Sequence, residues 1–564
     1  MAIVRNRIIK MLADAIAPLL SSTEQTAAAR FAIELEIPKV LQHGDYATNV
    51  ALSLTRQLKR NPREIAAQIV KNLQDTDQII ERTEIAGPGF INFFVRPAAW
   101  HRVLEAVHEG GRSYGRQDKG KGRKVQVEFV SANLTGPLHI GHGRGAATGD
   151  VLAHILSACG YSVEREYYIN DAGNQMNTLG CSLYFRYQEL LGEPVEFPEG
   201  HYQGEYMRDL AREFQQEVGD RYRRAPMDDV LPVFTKYAGD RIFSGIKEDL
   251  SAFGVGFDHW FSEQSLHDED AIRKTIAALE DRGFIYEEEG AKWFRSTSFG
   301  DEKDRVVVRA NGISTYFAAD LAYHKNKFER GFDVVIDIWG ADHHGYVDRM
   351  LAGVQAMGRE RADIRVILVQ LVNLLRAGKP VAMSTRAGEF VTLREVIDEV
   401  GKDAARFIFL TRRSDSQLDF DLDIAKMQSN DNPVFYVQYA HARLCSIFEV
   451  AKERGIPCDW AQGGGLEKAP PGLARLDLPQ EVAIIKLLGE YPEVLANCAR
   501  CLEPHLIPYY LHELVSLFHS YYNQNRVLGE DPELTQARIY LAAAVRVVIR
   551  NALELLGVAA PEKM

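Results

Sequence analysis

Cysteine is scarce: six residues scattered through 564. Cys498 and Cys501 form a C-x-x-C with no second pair beside it, so zinc is not expected and buried thiols are. No apolar run approaches the twenty or so residues of a membrane span. The start lacks a signal-peptide pattern: Val4, Ile8, Leu12, Ile16 and Leu19 make a helical stripe, with Lys10 and Asp14 on other faces. A cytoplasmic setting without membrane attachment is expected. Internal repeats and long low-complexity tracts are absent. So is an excess of positive charge: 66 basic against 78 acidic residues give −12. That total argues mildly against a nucleic-acid partner, but binding needs only a local basic surface. The local candidates are Arg116–Lys124, Arg221–Arg224 and Arg412-Arg413, each more often a solvated face or linker.

What remains is an ordinary globular composition, 46% hydrophobic and 26% charged, on a chain too long for one core. Three parts are read. Residues 1–118 begin with the amphipathic helix and close on Gly87-Pro88-Gly89, a turn leading into the strand-like Phe90-Ile91-Asn92-Phe93-Phe94, as a small α+β domain. Residues 119–428 alternate strands with helical patterns and predict a parallel, Rossmann-like α/β sheet. The expected strands are 125–130, 163–169, 305–309, 333–339 and 365–372, with an inserted segment at about 175–300. Residues 429–564 read as all-α.

Ligands of such sheets bind beyond the carboxyl ends of the strands, and chemistry-bearing residues recur there. Pro137-Leu138-His139-Ile140-Gly141-His142 follows the strand-like Val125–Val130 and opens a helix. A helix N-terminus offers backbone N–H groups to phosphates, and two imidazoles three residues apart share its face. Gly141, Gly143 and Gly145 leave room for a nucleotide. A zinc half-site is the rival reading of H-x-x-H, but no Glu lies between the histidines. Two surface histidines on a core helix are the bland one. The stretch Glu128–Asp150 resembles the class I aminoacyl-tRNA synthetases, and within them the bacterial-type arginine-specific branch.

That resemblance covers nearly the whole chain and implies a catalytic domain at 119–428, an anticodon-binding domain at 429–564 and an N-terminal module that touches the tRNA elbow. The activity it implies is ATP-dependent joining of L-arginine to tRNA(Arg) through an adenylate, with Mg²⁺ on the ATP phosphates, no tightly bound cofactor and no metal site in the protein. A monomer is expected. His139, Gly141, His142, Met383 and Ser384 would bind ATP. The family's K-M-S-K loop reads Ala382-Met383-Ser384-Thr385-Arg386, with both lysines replaced, and Lys379, Arg386 or Arg144 would supply the missing charge, Arg386 being favoured as nearest.

A guanidinium needs carboxylates and acceptors around it. By resemblance, Glu128 and Asn133 hold the ammonium end of arginine, Tyr316 and Asp320 its side chain, and His344 replaces an amide of the same pocket. Tyr316 and Asp320 are four apart, one helical face. Tyr436, Tyr439 and Arg443 also share a face and suit unstacked bases, although such a stripe is more often core. Tyr522 and the terminal Ala560–Met564, ending in Met564, match the anticodon end of the family. Two alternatives stay open: a class I synthetase for another amino acid such as cysteine, and a tRNA-binding paralogue with a decayed site.

Overall fold

The computed structural model describes residues 2–20, 33–38, 40–381, 391–458 and 469–564. Helix α1 (Ala2–Ile16) buries Val4, Ile8 and Leu12, the predicted stripe. It packs on α2 (Pro62–Asn72), which starts at Pro62 with Asn61 capping the backbone N–H of Arg63. Strands β1 (Tyr46–Thr48), β2 (Ile80–Ala86) and β3 (Phe90–Val95) form an antiparallel sheet in the order β1-β3-β2. The β2–β3 turn is Gly87-Pro88-Gly89, where both glycines hold positive φ. The next helix, α3 (Pro97–Gly110), packs with the C-terminal helices: the His101 and His108 rings meet the carbonyls of Leu476 and Tyr540 at 3.3 and 3.0 Å.

The middle part carries a five-stranded parallel sheet. Its first strands are β4 (Lys124–Glu128), β5 (Ser162–Ile169) and β6 (His259–Ser262). Helix α4 (Ile140–Ala158) links β4 to β5 and is buried on nearly every face, which its run of small and apolar residues permits. Helices α5 (Asn174–Leu190), α6 (Glu205–Val218) and α7 (Met227–Ala252) form the inserted segment. After α8 (Ala271–Asp281), strands β7 (Ile285–Glu288), β8 (Ala291–Phe294) and β9 (Arg305–Val308) make a separate antiparallel sheet. Helix α9 (Tyr316–Glu329) leads to β10 (Val334–Gly340), then α10 (Val347–Ala356) and β11 (Ile364–Val369), completing the order β11-β10-β4-β5-β6. The chain therefore reverses direction of winding between β4 and β10, which makes a crevice at their carboxyl ends.

Two strand expectations are corrected. Residues 305–309 are not in the parallel sheet; Val306 and Arg305 pair with Trp293 and Phe294 of a hairpin instead. The true third strand, β6, was hidden inside the stretch read as insertion, because His259 and Ser262 on this short edge strand break any apolar run. The expected strand 365–372 is two: β11 ends at Val369, and Val372 begins β12 (Val372–Arg376) in a small sheet with β13 (Lys379–Pro380) and, further on, β14 (Leu418–Asp421). Between these lie α11 (Leu393–Val400) and α12 (Lys402–Phe409).

The last part is helical as expected: α13 (Pro433–Glu453), α14 (Pro479–Cys501), α15 (Leu506–Gln524) and α16 (Pro532–Leu555). Asn432 and Asp531 cap α13 and α16, each with proline at the first position. Arg406 of α12 is fully buried where these parts meet. It donates to Leu556 O just past α16 at 2.8 Å and to Asp150 Oδ2 of α4 at 2.5 Å.

Candidate active site

A cleft of about 790 Å³ opens at the crevice between β4 and β10. Its floor on one side is the start of α4. His139 is the N-cap and His142 the third residue of that helix. The His139 Nδ1 accepts from Gly141 N at 3.1 Å, and the His142 Nδ1 accepts from His139 N at 3.2 Å. Burial pushes His142 down to about 3, with His139 adding to the shift, and burial lowers His139 as well. Both rings are therefore neutral, and with Nδ1 accepting, each carries its proton on Nε2. The rings stack with centroids 3.7 Å apart. A Cβ on residue 141 would stand 3.0 Å from the His139 ring, so glycine lets the imidazole fold over the helix start.

The loop from β4 to α4 is strained and firmly held. Val130 and Ser131 have φ of 67° and 38°, unusual for a β-branched residue followed by another non-glycine. Ser131 Oγ donates to Glu128 Oε1 at 2.8 Å and accepts from Tyr168 N at 3.1 Å. Tyr167 donates to Ala132 O, Asn170 to Asn133 Oδ1, and Tyr206 of the inserted segment to Thr135 O at 2.6 Å. These bonds turn Glu128 and Asn133 into the cleft.

The facing wall is acidic. Tyr316, Asp320, His324 and Lys327 lie on one face of α9. Asp320 accepts from Tyr346 OH, and burial raises its pKa, the Tyr346 hydrogen bond partly opposing. Glu263, 5% exposed, neighbours Asp320, Tyr168 and Asp171; burial first and Asp320 second push it up to about 7. Deeper in, Lys327 Nζ is 2.6 Å from Glu128 Oε2 and 2.7 Å from Asp337 Oδ1. Burial alone would discharge that lysine, but Asp337 and Glu128 more than offset it and raise its pKa. Asp337 stays below the usual carboxylate range: burial raises it, and Lys327 and His324 outweigh burial.

Glu128, Asn133, His139, Gly141, His142, Tyr316 and Asp320 thus line one cleft. His344 does not. It sits in a 3₁₀ turn, Ala341–Tyr346, whose three-residue period aims His343 and Tyr346 at the cleft and His344 outward. Lys379 is exposed on β13, paired with Arg376, and does not line the cleft either, because a hairpin holds it. Arg144 is unable to serve the phosphates: its guanidinium is buried and donates to Gln370 O, Ser416 O and Arg413 O. Gly143 packs against Leu393 and Phe409 rather than a nucleotide. Met383, Ser384 and Arg386, with Ala382 and Thr385, lie outside the described residues. On the far side of them Thr392 bridges to His139.

Sequence reasoning missed Glu263, Tyr346 and Lys327. For Lys327 a signal existed: polar residues at 316, 320, 324 and 327 repeat with helical period along an otherwise buried helix. Glu263 had none, since it follows the unrecognised strand β6.

In the helical part, Arg443 donates to Tyr439 OH at 2.8 Å, meets His519 Nδ1 at 3.1 Å and lies over the Tyr439 and Tyr522 rings. Tyr436 joins through His519. All four predicted side chains are half-buried between α13 and α15. The C-terminal tail runs along α13, with Gln438 bonded to Ala559 O and the His441 ring to Pro561 O, and ends at the exposed Met564. Among the described residues no group of three or more His, Cys, Asp or Glu side chains is arranged to hold a metal, and no helix is long and apolar enough to cross a membrane.

Three family descriptions match: "Arginyl tRNA synthetase N terminal domain" over residues 6–95, "tRNA synthetases class I (R), catalytic domain" over 103–421 and "DALR anticodon binding domain" over 437–564. The chain is 57% identical to a protein of Citrifermentans bemidjiense named Arginine--tRNA ligase, over 94% of this chain and 95% of that one. It is 58% identical to one of the same name from Syntrophotalea carbinolica, with the same coverage. Its fold matches Thermus thermophilus arginyl-tRNA synthetase with a TM-score of 0.75 at 22% identity, across 99% of this chain and 100% of that one.

Proposed function

The chain belongs to the class I arginyl-tRNA synthetase family, and from that membership we propose how its cleft works. It is an arginine–tRNA ligase: ATP, L-arginine and tRNA(Arg) give arginyl-tRNA, AMP and pyrophosphate. The arginine carboxylate attacks the α-phosphorus of ATP, pyrophosphate leaves, and a terminal ribose hydroxyl of the tRNA then displaces AMP from the arginyl-adenylate. Such steps need positioning and charge stabilisation more than a covalent nucleophile.

The carrying observation is the pairing of two neutral Nε2–H donors with an acidic wall across one cleft. His139 and His142 donate to ATP phosphates at the start of α4, beside Gly141. Asp320, with Glu263, takes the guanidinium; Tyr316 covers it; Glu128 and Asn133 take the ammonium end. The burial and raised pKa of Asp320 and Glu263 support this, since a cation is what would ionise both. Mg²⁺ brought by the nucleotide would offset charge on its phosphates. We assign the charge opposite pyrophosphate to Arg386, with Met383 and Ser384 beside the nucleotide. The bridge from Thr392 to His139 supports this, because it returns the chain beside the histidines six residues after Arg386. Tyr436, Tyr439, Arg443 and Tyr522, with Met564 on the tail, form the anticodon surface. We place the protein in the cytoplasm as a monomer.

The test is ATP–pyrophosphate exchange, with and without tRNA, across all amino acids, for the wild type and Arg386→Ala. Arginine alone should support exchange. The variant should lose about 2.7–4 kcal/mol of barrier stabilisation in kcat with little change in arginine binding. Wild-type rates in Arg386→Ala remove Arg386 from the site. No exchange by wild type with tRNA present favours a decayed paralogue.

A further inference from the structure

Lys327 is a buried titratable group that the reaction as set out leaves unused. It is 0% exposed and makes two charge-assisted hydrogen bonds, to Glu128 Oε2 and Asp337 Oδ1. Glu128 and Asp337 are direct register partners on β4 and β10, so two carboxylates are forced side by side at the switch point. Like charges at that spacing repel strongly in a dry interior. Lys327 bridges them. The second Asp337 oxygen is 2.8 Å from His324 Nε2, and His324 Nδ1 is 2.8 Å from Asp320 O. Both ring nitrogens of His324 are engaged, which holds the ring between α9 and β10 and keeps that Asp337 oxygen occupied.

Glu128 has one oxygen engaged by Lys327 and the other by Ser131, so its carboxylate plane is fixed before any substrate enters.

We propose that Lys327 is a positioning residue for the amino-acid step: an internal ammonium that orients Glu128 toward the substrate ammonium and thereby makes that ammonium a condition for binding. The inference rests on the reading of Glu128 as the ammonium partner. It separates the two ends of the substrate. Losing Lys327 unfixes Glu128 and weakens ligands that bear the ammonium. The guanidinium end, held by Asp320 and Glu263, is untouched.

The experiment compares inhibition constants of agmatine, which keeps ammonium and guanidinium, and guanidinovalerate, which lacks the ammonium, with the KM of arginine. The proteins are the wild type, Lys327→Met and the double variant Lys327→Met/Asp337→Asn, which keeps the local charge sum and guards against a variant that fails to fold. Lys327→Arg tests whether charge without the lysine's reach restores function. In both methionine variants arginine and agmatine should weaken by about tenfold or more, and guanidinovalerate by less than about twofold. Equal weakening of all three ligands means that Lys327 only supports the fold and overturns the proposal; so does no change in any. If Lys327→Arg fully restores both constants, geometry at Glu128 is not the issue and the proposal also fails. Failure of the underlying reading looks different: the wild type itself then shows no arginine-dependent exchange and no preference between the analogues.

Discussion

Glu263 shows how one side chain ties the site to pH. Its carboxyl is pushed up to about 7 by burial and by Asp320. The empty folded protein therefore prefers the protonated form, and this group's contribution to stability falls as pH climbs from about 4.5 to about 7. A guanidinium bound beside Asp320 as proposed would reverse the preference and draw the proton off. Arginine binding should then release a proton below neutrality, and KM for arginine should fall about tenfold from pH 6 to pH 8, flattening above 7. Glu263→Gln should raise KM and abolish the slope, while unfolding at a higher temperature than wild type at pH 8. The check is arginine KM against pH for both proteins; the same slope in the two would show that Glu263 does not sense the guanidinium. The histidines act in the opposite sense. His142, down to about 3, stays neutral across this range and contributes no pH dependence of its own.

Among the elements, α4 is the one whose start borders the cleft. Its N-terminus carries the histidines, and its first turn touches α11 and α12: a Cβ on residue 143 would stand 2.7 Å from Leu393 Cδ1 of α11 and 3.1 Å from Phe409 of α12. Leu393 N in turn bonds Leu138 O at 2.7 Å. Gly143→Ala should push α11 from the histidines and cost about 1–3 kcal/mol of stability through overpacking. ATP KM should rise more than arginine KM, because the displaced residues adjoin the phosphate side. Leu393→Ala should partly restore the ATP KM of Gly143→Ala by vacating the contact. Should steady-state kinetics give Gly143→Ala a normal ATP KM, the contact between α4 and α11 does not set the nucleotide site.

Over the whole molecule, Arg406 joins three parts. It reaches Asp150 on the histidine helix, Phe253 O and Gly254 O at the end of the inserted segment, and Leu556 O after the last helix. Removing one partner of a buried pair is costly, about 3–5 kcal/mol, because the other charge is stranded; Arg165, 3.5 Å from Asp150, should keep the loss near the lower figure. Arg406→Met should lower the unfolding temperature and split the calorimetric transition, the helices of 433–555 melting apart from the sheet. A single transition at the wild-type temperature would show that Arg406 is not the tie. Asp150→Asn/Arg406→Met should recover part of the loss.

The order of motifs along the chain was enough to place Glu128 at the end of β4 and Asn133, His139 and His142 just beyond it, since strand, turn and helix start are local and leave local signals; Tyr316 and Asp320 line the same cleft although the strand read before them belongs to another sheet. Helical periodicity likewise carried the last part, although α16 buries every face over 539–545. What the sequence left open depends on contacts distant along the chain. Strand β6 joins the sheet through pairing with β5, ninety-three residues away at Glu166 and His259, which no window on the sequence contains. Whether Arg144 faced phosphate or three backbone carbonyls depended on loops more than two hundred residues further on. The helical period of 316, 320, 324 and 327 puts Lys327 on the face of Asp320, but its partners exist only once β4 and β10 set Glu128 beside Asp337. Local propensity fixes where a side chain leaves the backbone. Only the packed fold decides which charges it must meet, and in a low-dielectric interior those meetings determine what each group does.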